Sequence, residues 1–162
     1  MSHSDSFNER YFSSLLKTMY QRGIQLRTPR KPYSEHRQIV DSWPKNIDTA
    51  AKILKSKNEI SVDLTLKGDE AAAQFSRLKQ NANYFNDIIG GKVDWKDELP
   101  KERQIVAVLA ADPMDETDWP RQHAWLAAKL IAFRIAFEPA IETRDPKTNA
   151  EGQRFPRKSG RG

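Results

Sequence analysis

Between Glu59 and Gly68 the chain alternates without a break. Ile60, Val62, Leu64 and Leu66 fall on one side, and Ser61, Asp63, Thr65 and Lys67 on the other. Successive side chains of a strand point to opposite faces. The pattern therefore predicts a strand with one dry side and one solvated side, most readily in an antiparallel sheet. KSKN before it reads as a turn, which makes AKILKS its hairpin partner and favours strand over helix for 50–56. RQIVDSW, closed by Pro44, is a further short strand, and KVDWK places Val93 and Trp95 on one face. QIVAVLAAD follows the ELPKE turn and is apolar on both faces, as expected of a central strand.

Elsewhere the period lengthens to that of a helix. Phe7, Tyr11, Leu15 and Met19 form one stripe over 6–22, widened by Phe12, Leu16 and Tyr20. Ser6 with Glu9 reads as a capping box, and Gly23 as the stop. A second helix is expected within GDEAAAQFSRLKQNANYFNDIIGG, capped by Asp69, with Phe75, Leu78, Ala82, Phe85 and Ile89 facing the core. The last begins at DWPRQHAWL, with Asp118 or Trp119 as cap and Pro120 in the first turn, and runs to about Phe137 before Pro139. It carries two apolar stripes. Trp119, Leu126, Leu130, Phe133 and Phe137 make one; Ala124, Ala128, Ile131 and Ile135 make the other. His123, Arg134 and Glu138 fall between them, and Trp125 lies off both. These elements predict an α+β fold: an antiparallel β-sheet of about four to five strands packed with three main α-helices, in one globular domain over 1–141. Residues 142–162 have no periodicity and are rich in glycine, proline and charge, which predicts a disordered basic tail.

Composition narrows the functional classes. The chain has 162 residues, 38% of them hydrophobic, and no apolar run approaches the roughly 20 residues of a membrane span. MSHSDSFNER lacks the pattern of a secretory signal. With no cysteine, disulfides, thiolate metal sites and cysteine nucleophiles are excluded; cytoplasmic residence is the expectation compatible with this. The net charge is +5, and it is unevenly placed. From Arg22 to Lys57 nine basic residues face only Glu35, Asp41 and Asp48. Within this segment the loop RTPRKPYSEHR interleaves cations with Tyr33 and His36. Arg27, Arg30, Lys31, Tyr33 and Arg37 are the candidate contacts to DNA or RNA phosphates.

Local catalytic motifs are missing. There is no phosphate-cradling GxxxxGK[ST], no GxGxxG after a strand and no GxSxG. The three histidines lack a second ligand at helical or hairpin spacing. A restriction-type nuclease needs an acid two residues before a lysine. Here Thr65 stands where that acid should be, and Asp63 and Lys67 are four apart. Asp63, Thr65 and Lys67 therefore read as the solvated side of their strand. The acidic run 111–119 supplies oxygens for a divalent cation but reads first as a loop leading to a helix N-terminus. No catalytic residue, metal site or cofactor is expected. His123 and Trp125 remain as candidate contacts to a ligand or partner, with His123 read first as a hydrogen-bonded histidine at the helix edge.

The order of features resembles the prokaryotic domain of unknown function 4268 family. The resemblance is carried by FNERYFSSLLKTMYQRG, the RTPRKP loop, EISVDLTLKG and above all KVDWKDELPKERQIVAVLAADPMDETDWPRQHAWLAAKLIAFRIAFEPAI. It covers about residues 7–141. It departs at RQIVDSWPKNID, where the family has an aromatic-led strand into a glycine. The resemblance implies an α+β fold and an association with nuclease-like domains and defence systems, without assigned catalytic residues. The expected function is a small non-enzymatic binding module that contacts nucleic acid through the basic loop. The alternatives are a protein-interaction subunit, as homodimer or partner of a separate effector, and an enzyme whose site assembles only in the fold.

Overall fold

The computed structural model describes residues 3–27, 33–34, 36–99 and 101–142. Helix α1 (His3–Gln21) leads into strands β1 (Tyr33–Ser34), β2 (Arg37–Trp43), β3 (Ile47–Leu54) and β4 (Glu59–Lys67). Helices α2 (Ala71–Lys79) and α3 (Ala82–Ile89) follow, then β5 (Val93–Leu99), β6 (Glu102–Ala110) and the long helix α4 (Trp119–Glu142). The strands form one sheet in the order β1-β2-β3-β4-β6-β5, with every neighbouring pair antiparallel. Five strands are substantial and β1 is a two-residue edge.

The dry side of β4 carries the helices. Ile60, Val62, Leu64 and Leu66 share one core with Phe12 and Leu15 of α1, Phe75 of α2, Phe85 of α3, and Leu126, Phe133 and Phe137 of α4. Burying that much apolar surface on one sheet face is the main driving force for the layering. The turn at Lys55–Lys57 ends on Asn58 in the left-handed region, which sets the register of β3 against β4: Thr49 opposite Leu64, Ala51 opposite Val62. Residues 50–54 and RQIVDSW thus lie in strands, as the pattern indicated, while Lys55 and Ser56 belong to the turn.

Several boundaries differ from the sequence expectation. α1 begins at His3, so Ser6 lies inside the helix and cannot cap it. Its C-terminus matches: Gly23 is at φ +77°, and Ile24 N–H bonds back to the Met19 carbonyl. Tyr20 is 72% exposed and does not join the core. The stretch 69–91 is two helices, because Asn81 leaves helical geometry (φ −115°, ψ 33°) in the polar run QNAN. This gives four helices in place of three. Asp69 is not the cap; Glu70 holds that position, and Asp69 pairs with Lys101 at 3.1 Å on the surface. α4 runs through Pro139, whose exposed ring on the outer side of the last turn removes one donor without ending the helix. β6 is paired on both sides, but β3 and β4 hold the centre of the sheet.

The setting of α4 can be read by truncation. Phe133 is fully buried and Ile135, two residues on, is 60% exposed. In urea unfolding at low protein concentration, Phe133→Ala is expected to cost about 3–5 kcal/mol. Ile135→Ala should stay within about 0.5 kcal/mol. Equal losses would contradict this rotation of the helix.

Candidate functional site

The RTPRKPYSEHR loop is tied to the sheet by its first residue. Arg27 N–H donates to the Val40 carbonyl (2.7 Å), and the Arg27 carbonyl accepts from Ser42 N–H (3.0 Å), at the irregularity between Ile39 and Asp41. Its guanidinium bonds to the Asp41 Oδ1 (3.0 Å) and to Glu138 Oε1 of α4 (2.8 Å). Asp41 is almost wholly buried. It also takes a fork from Arg134: Nε to Oδ2 at 3.1 Å and Nη2 to Oδ1 at 2.8 Å. Such two-point pairing fixes geometry as well as charge. The Glu138 hydrogen bond is the main reason the Arg27 pKa rises, with burial opposing and Asp41 adding to it.

Arg37 is committed in a similar way on the other side of the sheet. Its Nη2 lies 2.7 Å from Asp48 Oδ1, 2.7 Å from Asp63 Oδ1 and 3.1 Å from Thr65 Oγ1. Thr65 donates to Asp63 (2.7 Å) and accepts from Gln104 Nε2 (3.2 Å). Burial opposes the charge on Arg37, and Asp63 and Asp48 more than offset this, so its pKa is raised. Ser61, Asp63 and Thr65 are therefore not a solvated side: each is only 2% exposed. The alternation reported the parity correctly, but the Arg37 guanidinium and the Gln104 amide lie against this row. Lys67 alone of the four is exposed.

Of the five candidate phosphate contacts, Arg27 and Arg37 thus spend their guanidinium groups on carboxylates. Tyr33 is placed by its backbone, opposite Gln38 in the β1–β2 pair. Arg30 and Lys31 lie outside the described residues, as does the expected tail from 143 onward. The acidic run is used internally. Asp112 Oδ1 accepts from Met114 N–H, and Asp115 Oδ1 accepts from the N–H and hydroxyl of Thr117. Among the described residues no group of three or more His, Cys, Asp or Glu side chains is arranged to hold a metal ion.

The α1–α4 seam holds His123. Its ring meets Tyr11 edge-on at 4.6 Å and lies 5.5 Å from Trp119. Nδ1 is 3.3 Å from the Ser14 hydroxyl, while Nε2 is buried without a hydrogen-bond partner. Burial holds the imidazole pKa down to about 4, so the ring is neutral at pH 7. Tyr11 donates to Gln122 Oε1 (2.6 Å), and Gln122 Nε2 donates to the Asp112 carbonyl and to Asp118. Trp119 is buried, with its Nε1–H on the Pro113 carbonyl (2.8 Å). Trp125 is partly buried against the core, beneath the Lys129 ammonium at 5.9 Å from the ring centroid. Lys129 reaches the Ile89 and Gly90 carbonyls at the end of α3, both at 2.8 Å. A cation there satisfies orphan carbonyls at the helix C-terminus.

These ties leave one side of α4 bare. Ala128 is exposed, Ile135 is 60% exposed, and Ala124 and Ile131 are partly exposed. Lys129 and Arg134, the only cationic side chains between Arg121 and Glu138 other than titratable His123, are turned onto α3 and Asp41. The second apolar stripe is therefore an uncharged outer ridge.

The family model for domain of unknown function 4268 (DUF4268) matches residues 7–141. The chain belongs to that family. No curated protein matches it. A solved structure described as "YbjN, a putative transcription regulator from E. coli" is similar at 11% identity and TM-score 0.33, over 78% of this chain and 93% of that one. No helix among the described residues is long and apolar enough to cross a membrane.

In this family member the residues that sequence reasoning missed are Asp41, Arg134, Glu138 and Gln104, which complete the two ionic networks. Arg134 and Glu138 did stand out as charges between two apolar stripes, the one local signal that they had buried partners. Removing Arg37 tests the second network. Arg37→Met leaves Asp63 buried without its cation and is expected to cost about 3–5 kcal/mol of stability in chemical denaturation. His123 gives a pH signature. Its folded pKa of about 4 lies below the ordinary 6.5, so between these values the unfolded chain binds the extra proton. Its contribution is complete above about pH 6.5 and declines as pH falls towards 4, by about 3 kcal/mol in all. The pH dependence of unfolding should be shallower across that window in His123→Gln than in the wild-type chain; superimposable slopes would show that the ring does not titrate this way.

Proposed function

We propose that this protein is a non-catalytic interaction module that docks through the outer ridge of α4. The observation that carries the reading is the pairing of exposed apolar side chains with inward-tied cations. Ile135 and Ala128 face solvent, while every flanking ammonium or guanidinium is bonded to the protein's own groups. An apolar helix face flanked by polar residues suits a helical or flat apolar partner surface. The alternative to a binding role, chemistry at His123, is disfavoured by its depressed pKa and its burial between Tyr11 and Trp119.

A second reading keeps nucleic acid as a ligand of the loop between Arg27 and Tyr33. Both ends of that loop are fastened to β2, Arg27 by two backbone hydrogen bonds and Tyr33 by pairing with Gln38. In this reading Arg30 and Lys31 would supply salt-dependent phosphate contacts. The association with nucleic-acid processing that the family resemblance implies agrees with it.

One experiment separates the two. The tagged full chain is used to capture partners from its native host, with and without nuclease, as wild type, Ile135→Asp and Arg30→Ala/Lys31→Ala. The ridge reading expects capture that survives nuclease and is lost in Ile135→Asp. The loop reading expects capture that nuclease abolishes and that Arg30→Ala/Lys31→Ala weakens at least tenfold at low salt. Capture unaffected by Ile135→Asp would overturn the ridge reading.

A further inference from the structure

We infer that the occupant of the α4 ridge is a second copy of this chain, docked helix to helix in antiparallel fashion about a two-fold axis. The inference rests on the ridge being an interaction surface and names its partner. Arg121, Ala128 and Ile135 are exposed and Ala124, Ile131 and Glu138 partly so, and these six positions are spaced by alternating threes and fours. That is the seam of a two-helix packing, in which every such position meets the facing helix.

The order of residues along this seam is complementary to its own reverse. A two-fold axis crossing the seam between Ala128 and Ile131 sets Ala128 of one copy against Ile131 of the other. It sets Ala124 against Ile135, and Arg121 against Glu138. Each large side chain meets a small one, so the layers interdigitate and the backbones approach closely. Each end of the seam brings a cation to an anion. A parallel pairing does the opposite: it stacks Ile135 on Ile135 and Arg121 on Arg121, leaving like charges together at both ends. The end groups have capacity for the contact. Asp118 takes Nε and one terminal nitrogen of Arg121, leaving the other terminal nitrogen open. Glu138 holds Arg27 and Trp43 and, as a carboxylate, accepts further donors.

Nothing charged interrupts the seam between these ends, because Lys129 and Arg134 are tied inward. A positively charged chain with a free lysine here would repel its own copy. Residues 143–162 are a poor match for the ridge, since Phe155 is their one large apolar side chain among six arginines and lysines and two prolines. A single helix pair is small beside the roughly 1,200–2,000 Å² of a stable interface, so the dimer should be weak and concentration-dependent.

The test uses the full chain, which has no native cysteine to confuse cross-linking. Sedimentation equilibrium from about one to a few hundred micromolar is expected to show a monomer–dimer equilibrium. Ile135→Asp, at an exposed position and so compatible with folding, should shift it to monomer by at least tenfold in dissociation constant. Orientation is read by Ala124→Cys and Ile135→Cys, oxidised separately and as a mixture. In the antiparallel pairing 124 meets 135, while like positions lie about 16 Å apart, beyond disulfide reach. Cross-linking should therefore occur in the mixture and not in either variant alone. Cross-linking of each variant with itself would overturn the antiparallel arrangement, and a monomer at every concentration would overturn self-association. The latter result beside Ile135-dependent capture of a different protein would leave the ridge reading standing and reject only the second copy.

Discussion

The rotation of α4 about its own axis is fixed by two cations, and most of what is distinctive about the surface follows from that. Arg134 forks onto the buried Asp41 of β2, and Lys129 caps the carbonyls at the end of α3. One anchor holds the helix to the sheet and the other to its neighbouring helix. Between them Phe133 and Phe137 are driven into the core and Ile135 is turned out. Hydrophobic burial alone would not choose so firmly, because α4 has apolar side chains on two faces. The stripe of Trp119, Leu126, Leu130, Phe133 and Phe137 has the larger apolar area and is the one buried. Directional bonds from a guanidinium to a carboxylate then fix the rotation that area defines only broadly.

Arg37 plays the matching part on the opposite side of the sheet. It bridges Asp48 of β3 and Asp63 of β4 from its own position on β2, so three adjacent strands are linked through one side chain. Such a network costs desolvation, and its net contribution to stability is small when complete. Its consequence is specificity of register. A slip of β4 by one residue would bring Asp63 to the helix-covered face and remove it from Arg37, leaving a carboxylate in an apolar layer.

Strand periods were legible because they are local. The alternation from Ile60 to Lys67 gives the strand, its parity and the face on which the helices lie. It does not say what covers the other face, and Asp63 and Thr65 were misjudged as solvated for that reason. Their partner Arg37 is 26 residues from Asp63 in sequence. Asp41 and Arg134 are 93 apart, and no spacing rule joins them. The split between α2 and α3 was hidden by apolar residues that keep their spacing across the break, while the local departure at Asn81 carries no apolar signature. The two stripes of α4 were visible, and the heavier, aromatic one is the one that faces inward. His123 was read as an edge residue; it lies buried between Tyr11 and Trp119, and that burial depends on α1, which no local spacing reports.

The same reasoning limits what net charge says about binding. The cations concentrated in Arg22–Lys57 suggested a polyanion, since phosphate affinity scales with the number of cations that exchange counterions for phosphates. A guanidinium already held by a buried carboxylate has few counterions to release. Arg27 and Arg37 are held in this way, and α4 contributes Glu138 to one pair and Arg134 to the carboxylate it shares. Two of the nine cations that make the segment basic, Arg27 and Arg37, are therefore spent on assembling the fold. The inward ties of Lys129 and Arg134, by contrast, leave exposed a side of α4 that carries no charge.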